Sequence, residues 1–394
     1  ARLLTTVPRI CVRYECVPMR FIKHVYRIHT YAQDGRLFEG KTPVSAFLNS
    51  SYDGSFIAGL MELRYIQSLP VERIINYFES HGFTLKKPTA HKLMEKASSL
   101  FENLYKCIRQ TALSDPYKAA DETYYKILVP EKNSKGKGVR KGYLWVVVGI
   151  NTRMIYLLYD DGSRSEKVIL NELGGCKGII QSDGYSPYRK LESDAYPHIT
   201  RIPCLQHIKR KFIDCGEDDP DAKRIVEMIN TLYQNEHKHK IGVDGWTVEQ
   251  NLVHRKKYAP DILGEIKDVL DDIEERGDLL PKSELKEAIT YLRNEWNAVV
   301  DIFNYGDTYL DNNIVERMNR YISLSRKNSL FFGSHKGAER GAILYTIALT
   351  CRMNKVNLFE YLTDVINRTA EWQPNTPLEK YRQLLPDRWE KAND

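Results

Sequence analysis

No apolar run in this 394-residue sequence approaches the ~20 residues that a membrane-spanning helix needs. The longest, residues 143–150, is strand-sized. The N-terminus has no charged stretch followed by an apolar one, so nothing there reads as a secretory signal, and the absent initiator Met points to a trimmed or truncated start. The seven cysteines, at positions 11, 16, 107, 176, 204, 215 and 351, are odd in number and lack the spacing of a disulfide framework. A reducing cytoplasm is the simplest setting for them. Internal repeats and low-complexity tracts are also missing. Neither sign of charge dominates: 58 Lys and Arg against 52 Asp and Glu leave +6. So mild an excess does not by itself identify a nucleic-acid binder. The distribution says more. Acids gather at 214–221 and 261–278, bases at 86–96, 132–141, 207–211 and 317–327, and that segregation favours a polyanionic partner.

The length exceeds the ~250–300 residues at which single cores stop growing, so several units are expected. Residues 1–50 carry little signal, although rough alternation over 18–31 predicts a short strand pair. From Ser55 the period becomes helical, with Ile57, Leu60, Met61 and Tyr65 on one face. Pro70 opens a second helix to Ser80, closed by Gly82, and Pro88 opens a third to about Thr111. Two helices joined through a Gly-containing turn form a helix-turn-helix candidate. Lys87 and Lys92 at the start of the third helix are its candidate DNA contacts, the alternative being a plain bundle with solvated lysines.

From Ala119 the texture changes. Residues 123–129, 143–150 and 154–159 are rich in Val, Ile, Leu and Tyr between Gly, Asn and Asp, which predicts three antiparallel strands. A helix at 166–173, a buried strand at 178–181, a fifth strand at 200–203 and a helix from Leu205 follow. That order is the order of an RNase H-like fold. Helical, highly charged residues 214–306 interrupt it. Helices are predicted over 259–275 and 283–303, over 312 to about 325 with Asp311 as N-cap, and over 337–354 and 358–368. The expected class is α/β: an RNase H-like catalytic core with a mixed sheet, a helical N-terminal region, a helical insertion and a helical C-terminal region. Its units are a remnant strand or zinc-type region at 1–50, the helix-turn-helix-like region at 51–114, the first part of the core at 115–213, the insertion at 214–306, the completion of the core at 307–335 and the C-terminal helices at 336–394.

Three acids stand where such a core needs them. Asp121 is read at the start of the first strand and Asp183 just past the end of the fourth, its neighbour in the sheet. Two carboxylates at adjacent strand ends repel, and a divalent cation resolves the repulsion. Mg²⁺ takes oxygen ligands and keeps several waters, so two or three carboxylates suffice, and two such ions about 3.5–4 Å apart serve phosphoryl transfer. Glu316 would supply the third ligand, because Asn312, Glu316 and Arg320 share a polar helix face opposite Ile314, Met318, Tyr321 and Ile322. Individually the three acids could be a turn Asp, a capping Asp and a surface Glu. Lys132, Lys135, Lys137, Arg140 and Lys141 fill a loop that could track phosphates or be merely solvated. Arg317, Arg320, Arg326 and Lys327, near Phe331 and Phe332, suit a DNA strand, though the Phe pair reads better as core. Cys204-x-x-His207 with Cys215 falls short of the four ligands of a closed zinc site. Cys11 and Cys16 with His24 and His29 have poor finger spacing, and His237 and His239 read as surface.

These motifs together resemble a known family. Val17-Pro-Met-Arg-Phe-Ile-Lys-His-Val25, Asp121-Glu122-Thr123, Asp183-Gly184-Tyr185-x-x-Tyr188, Cys204-Leu-Gln-His207-Ile-Lys-Arg-Lys-Phe212, Asp311-Asn312-Asn313-x-x-Glu316-Arg317 and Ser325-Arg326-Lys327-Asn328-Ser-Leu-Phe-Phe-Gly333-Ser334 are similar to blocks of the insertion sequence 66 transposases, bacterial mobile-element enzymes. The resemblance runs from about Val17 to Arg368. It implies a DDE transposase that uses Mg²⁺, with Mn²⁺ substituting, to hydrolyse phosphodiesters at element ends and then join the freed 3′-hydroxyl to target DNA. Asp121, Asp183 and Glu316 would be the catalytic metal ligands, with Asn312, Arg317 and Arg326 as helpers. Terminal repeats and target DNA would be the partners, with homo-oligomers on DNA, accessory proteins of the same element and a nucleoid-associated cytoplasmic location. The family usually pairs Cys around the N-terminal strand region. Here Tyr31-Ala32-Gln33-Asp34 stands at the later position, so zinc is not expected there. Competing readings are a DNA-binding derivative that has lost catalysis and another RNase H-like nuclease, for which the long insertion is unusual.

Overall fold

The computed structural model describes residues 19–41, 45–47, 50–132, 136, 138–373 and 375–391. Cys11, Cys16, Lys135 and Lys137 therefore lie outside the described residues. The N-terminal strand pair is β1 (Thr30–Gln33) and β2 (Arg36–Glu39), further along the chain than 18–31. The turn decides this: Asp34 and Gly35 take φ of 51° and 73°, the left-handed pair that a two-residue hairpin requires.

Four helices follow: α1 (Gly54–Tyr65), α2 (Val71–Ser80), α3 (Lys87–Leu100) and α4 (Glu102–Ser114). Asp53 caps α1, its Oδ1 accepting from the Phe56 amide at 3.1 Å. The single helix expected from Pro88 is instead two. At Phe101 the backbone leaves the helical region (φ −90°, ψ 1°) while the ring stays buried. Both helices keep a 3.6-residue apolar period, so the bend between them leaves no local trace.

The sheet contains β3 (Tyr117–Leu128), β4 (Val139–Gly149), β5 (Met154–Leu158), β6 (Gly178–Ser182) and β7 (Ile199–Pro203), in spatial order β5-β4-β3-β6-β7. The first three run antiparallel; β6 lies parallel to β3 and β7 parallel to β6. Helix α5 (Glu166–Leu173) links β5 to β6, the short α6 (Ser186–Arg189) follows β6, and α7 (Leu205–Ile213) follows β7. Strand β3 starts six residues before the predicted Thr123. Lys118, Ala119 and Ala120 hide the strand pattern, yet all three are buried between β4 and β6. Asp121 therefore stands inside β3, not at its start.

The insertion is α8 (Pro220–Glu236), α9 (Val248–Glu275) and α10 (Glu284–Ile302). Helix α9 begins well before the predicted Ala259, where Thr247 and Gln250 form a reciprocal capping box, and it continues through Pro260. These helices share a second core with one flank of the sheet, in which Ile202, Ile208 and Phe212 meet Ile225, Leu270 and Ile289. The chain then forms α11 (Asn313–Asn328), α12 (His335–Met353), α13 (Leu358–Thr369) and α14 (Leu378–Arg382). Helix α12 is clamped to β5 by side-chain hydroxyls: Thr346 Oγ1 accepts from Leu157 N at 2.9 Å and Thr350 Oγ1 donates to Ile155 O at 2.9 Å. No described helix is long and apolar enough to cross a membrane.

Candidate active site

The parallel register pairs Ala119 with Gln181. Two residues further along, the same register carries Asp121 toward Asp183, on strands that lie ~4.8 Å apart. Asp121 Oδ1 accepts from the Glu122 amide at 2.8 Å, and its Oδ2 accepts from Asn319 Nδ2 at 2.7 Å. Burial, and next the charges of Glu122 and Asp183, outweigh those two hydrogen bonds and push the Asp121 carboxyl up to about 8. Burial also raises the Glu122 carboxyl, against the pull of Arg164, which donates to it at 3.0 Å through Nε.

The Asp183 turn is held from the insertion. Tyr291 on α10 accepts the Gly184 amide at 2.8 Å, and a Cβ on Gly184 would sit 2.5 Å from that hydroxyl oxygen, so only glycine lets the ring approach. The buried Arg201 on β7 donates to the Asp183 carbonyl at 3.2 Å and pairs with Glu192 and with Glu295 of α10. Asp183 Oδ1 accepts from the Tyr185 amide at 3.1 Å, an Asx turn that leaves the other oxygen for a ligand.

Glu316 arrives on α11, whose entry is fixed by a strap of residues 304–312 in which Gly306, Thr308, Leu310 and Asn312 are buried. Gln181 Nε2 donates to Pro203 O at 3.2 Å and Tyr309 O at 2.8 Å, while Tyr117 Oη accepts from the Tyr309 amide at 2.9 Å. Asn312, not Asp311, is the N-cap residue; its Nδ2 donates to Ala120 O at 3.0 Å, and Asp311 accepts from the Asn313 amide at 3.1 Å. The buried Asn312 thus pins the helix to β3 instead of lining a polar stripe with Arg320, which is exposed. One turn on, Asn319 meets Asp121, so the face carrying Glu316 and Asn319 leans on the sheet. Glu316 Oε1 itself lies 3.8 Å from His207 Nδ1, and both atoms are buried without a hydrogen-bond partner. With Cys204 Sγ they form a group whose ligand atoms all lie within 4.8 Å of one another. Asp121, Asp183 and Glu316 do not gather that closely among the described residues.

A cleft of about 340 Å³ opens beside Asp183, with Arg164, Tyr185, His207, Arg210, Lys211 and Tyr291 on its walls. Arg164 stacks over Tyr185 at 4.2 Å and Tyr143 at 5.1 Å. Other predicted cations are spread more widely. Lys92, Lys132, Arg140, Lys141, Arg317, Arg320 and Lys327 are exposed, and Lys87 is exposed but paired with Glu72. Arg326 is partly structural, donating to Tyr124 O at 2.9 Å and stacking on that ring at 4.1 Å. Of the Phe pair, Phe332 is buried beside Tyr125 and Phe331 is exposed. The sequence reading missed Arg164, Arg201, Gln181, Tyr291 and Asn319. Only Asn319 had a usable signal, its i+3 spacing from Glu316.

A mixed sheet thus carries Asp121 within β3 and Asp183 just past the end of β6, with a cleft walled by Arg164, Arg210 and Lys211 beside Asp183. The sequence model of the family described as "Transposase IS66 family" matches residues 49–340. The chain belongs to this family of insertion-sequence transposases. It is also similar to three uncharacterized proteins of Sinorhizobium fredii. With y4jD it is 26% identical over 346 residues, 84% of this chain and 65% of that protein. With y4hP it is 24% identical, over 96% of this chain and 70% of the relative; with y4qI, 26%, 93% and 69%. The chain thus spans about two thirds of the relatives' length.

Proposed function

We propose that this chain is the DNA-cutting and joining part of a bacterial insertion-element transposase of DDE type, with Asp121, Asp183 and Glu316 as its catalytic carboxylates. The strand order, with two antiparallel hairpin connections followed by two parallel strands, is that expected of an RNase H-like core. The observation that carries the reading is the parallel pairing of β3 with β6, whose register runs from Ala119 and Gln181 toward Asp121 and Asp183, together with an Asp121 carboxyl raised by burial and then by the Glu122 and Asp183 charges. That arrangement fits a divalent cation, which relieves the repulsion. Mg²⁺ bound there would activate the attacking oxygen and stabilise the leaving one. The chain's own residues do the positioning. Asn319 orients Asp121, Arg201 and Tyr291 fix the Asp183 turn, and Arg164, Arg210 and Lys211 take the phosphates of the strand entering the cleft.

The test is cleavage and strand transfer on labelled element ends with Mg²⁺. Asp183→Asn is expected to slow both by on the order of 10³-fold, several kcal/mol of transition-state stabilisation, with an unchanged circular dichroism spectrum. Equal rates for variant and wild type would remove Asp183 from the mechanism. Robust cleavage of RNA–DNA hybrids without strand-transfer products would favour another RNase H-like nuclease.

End binding is a separate proposal. Gly82, at φ 80°, turns the chain between α2 and α3, and Lys92 is exposed on α3. If α3 lies against DNA, Lys87→Ala and Lys92→Ala should each lower the slope of log affinity against log salt by about 1. Slopes identical to wild type would take α3 out of the interface.

A further inference from the structure

We infer that Cys204, His207 and Glu316 hold a zinc-class divalent ion, with one coordination position open toward the cleft beside Asp183. The sequence alone stops at Cys204-x-x-His207, because Cys215 does not complete a set; its Sγ instead turns to Lys211 O at 3.3 Å. The third ligand comes from a different helix. Cys204 is the N-cap residue of α7, His207 stands in the first turn of that helix, and Glu316 in the first turn of α11. The strap fixes these two helix starts against each other, since Leu205 N donates to Leu310 O at 2.9 Å and Asn312 N donates to Cys204 Sγ at 3.2 Å.

The separation of His207 Nδ1 and Glu316 Oε1 is 3.8 Å, too long for a hydrogen bond. It is close to the ~3.4 Å edge of a tetrahedral ion whose bonds to nitrogen and oxygen are about 2.0–2.1 Å. Both atoms are buried and neither has another partner, an arrangement that an ion between them would satisfy. Burial pushes the Cys204 thiol up to about 12 and the Asn312 amide, which donates to the sulfur at 3.2 Å, offsets only part of this, so an ion bound there would displace the thiol proton. A thiolate and an imidazole select Zn²⁺ or Co²⁺ over Mg²⁺, which seeks oxygen alone. Three protein ligands with a fourth place free is the count of a reactive zinc site, whereas closed structural sites have four. His207 lines the cleft that Asp183 also lines, so the free place has somewhere to face. Binding of this ion does not depend on the transposase reading. Its consequence does: Zn²⁺ would compete for the carboxylate proposed to serve Mg²⁺.

The experiment is titration of the metal-free full chain with Co²⁺, followed by its thiolate charge-transfer absorption and displaced by Zn²⁺. The expected result is one Co²⁺ with a thiolate band that disappears in Cys204→Ser, and at least tenfold weaker binding in His207→Gln. No thiolate band in the wild type, or a band of the same intensity in Cys204→Ser, overturns the site. If Cys204→Ser does not fold, His207→Gln decides, because that residue is partly exposed; unchanged Co²⁺ affinity there overturns the site as well. The Asp121→Asn, Asp183→Asn double variant should keep the band even if cleavage proves never to have depended on those acids. Zn²⁺ that binds without slowing Mg²⁺-dependent cleavage would overturn the shared use of Glu316.

Discussion

Asp121→Asn is expected to raise the melting temperature of the metal-free protein at pH 8–9 while reducing cleavage by on the order of 10³-fold. The two effects share one cause. In the folded state the Asp121 carboxyl, pushed up to about 8 by burial and by the Glu122 and Asp183 charges, resists ionisation. The unfolded chain ionises near the ordinary value of 3.8. Between those two values the native state binds the extra proton, so this group's contribution makes stability fall as pH rises through the window. Asparagine removes the charge and the slope. The variant and the wild type should therefore coincide below pH 4 and diverge upward to about pH 8, by on the order of 1 kcal/mol or ~2–4 °C. Mg²⁺ or Mn²⁺ should reverse the order, because an ion that binds only the native wild type stabilises it by mass action. Thermal melts across pH, with and without Mn²⁺, measure this. A variant that melts lower than the wild type at pH 9 without metal would sink the claim that burial and the neighbouring charges disfavour the ionised Asp121.

The second large effect is far from the acids. Arg255→Ala is expected to cost about 3–5 kcal/mol, because it breaks a buried ion pair on one side only. The Arg255 guanidinium, fully buried in α9, pairs with Glu236 of α8, its Nε donating at 3.0 Å. It also donates to Ile302 O at 3.3 Å, Tyr305 O at 2.5 Å and Thr308 O at 2.6 Å. Burial pushes the Glu236 carboxyl up, but the hydrogen bonds and charge of Arg255 more than offset this and hold it below its ordinary range. That contribution is present above about pH 4.5 and is lost as pH falls through the lower folded value. The Tyr305 and Thr308 carbonyls belong to the strap that delivers Glu316, and that of Ile302 lies just before it. Hydrogen exchange should therefore speed up over 304–312 as well as in α8 and α9, and Arg255→Lys should rescue little, since an ammonium cannot reproduce the fork. Loosening confined to α8 and α9 would show that the insertion does not brace the catalytic helix.

How much of this could be read in advance depended on whether the cause was local. Helix α5 at Glu166–Leu173 has the predicted bounds, β6, β7 and α13 end within a residue or two of theirs, and α7 starts where expected, because each carries its own period and its own turn residues. The adjacency of β3 and β6, expected from the strand order of an RNase H-like sheet, is also observed, although β4 and β5 come between them in sequence. Where the pattern was interrupted, the reading slipped. Small or charged residues that are buried by neighbouring strands concealed the first half of β3, and Phe101 bends a helix without any breaker.

Sequence alone therefore established the family blocks, most of the elements and the identity of the candidate acids, because those reside in short-range spacing. The fold alone decided what surrounds the acids. It brought Asn319 to Asp121, Tyr291 and Arg201 to the Asp183 turn, and Cys204 and His207 to Glu316. Except for Arg201, 18 residues from Asp183, these meetings join segments more than a hundred residues apart. Their distances are set by how α7, α10 and α11 pack around one end of the sheet, a property of the closed core that no window of sequence contains.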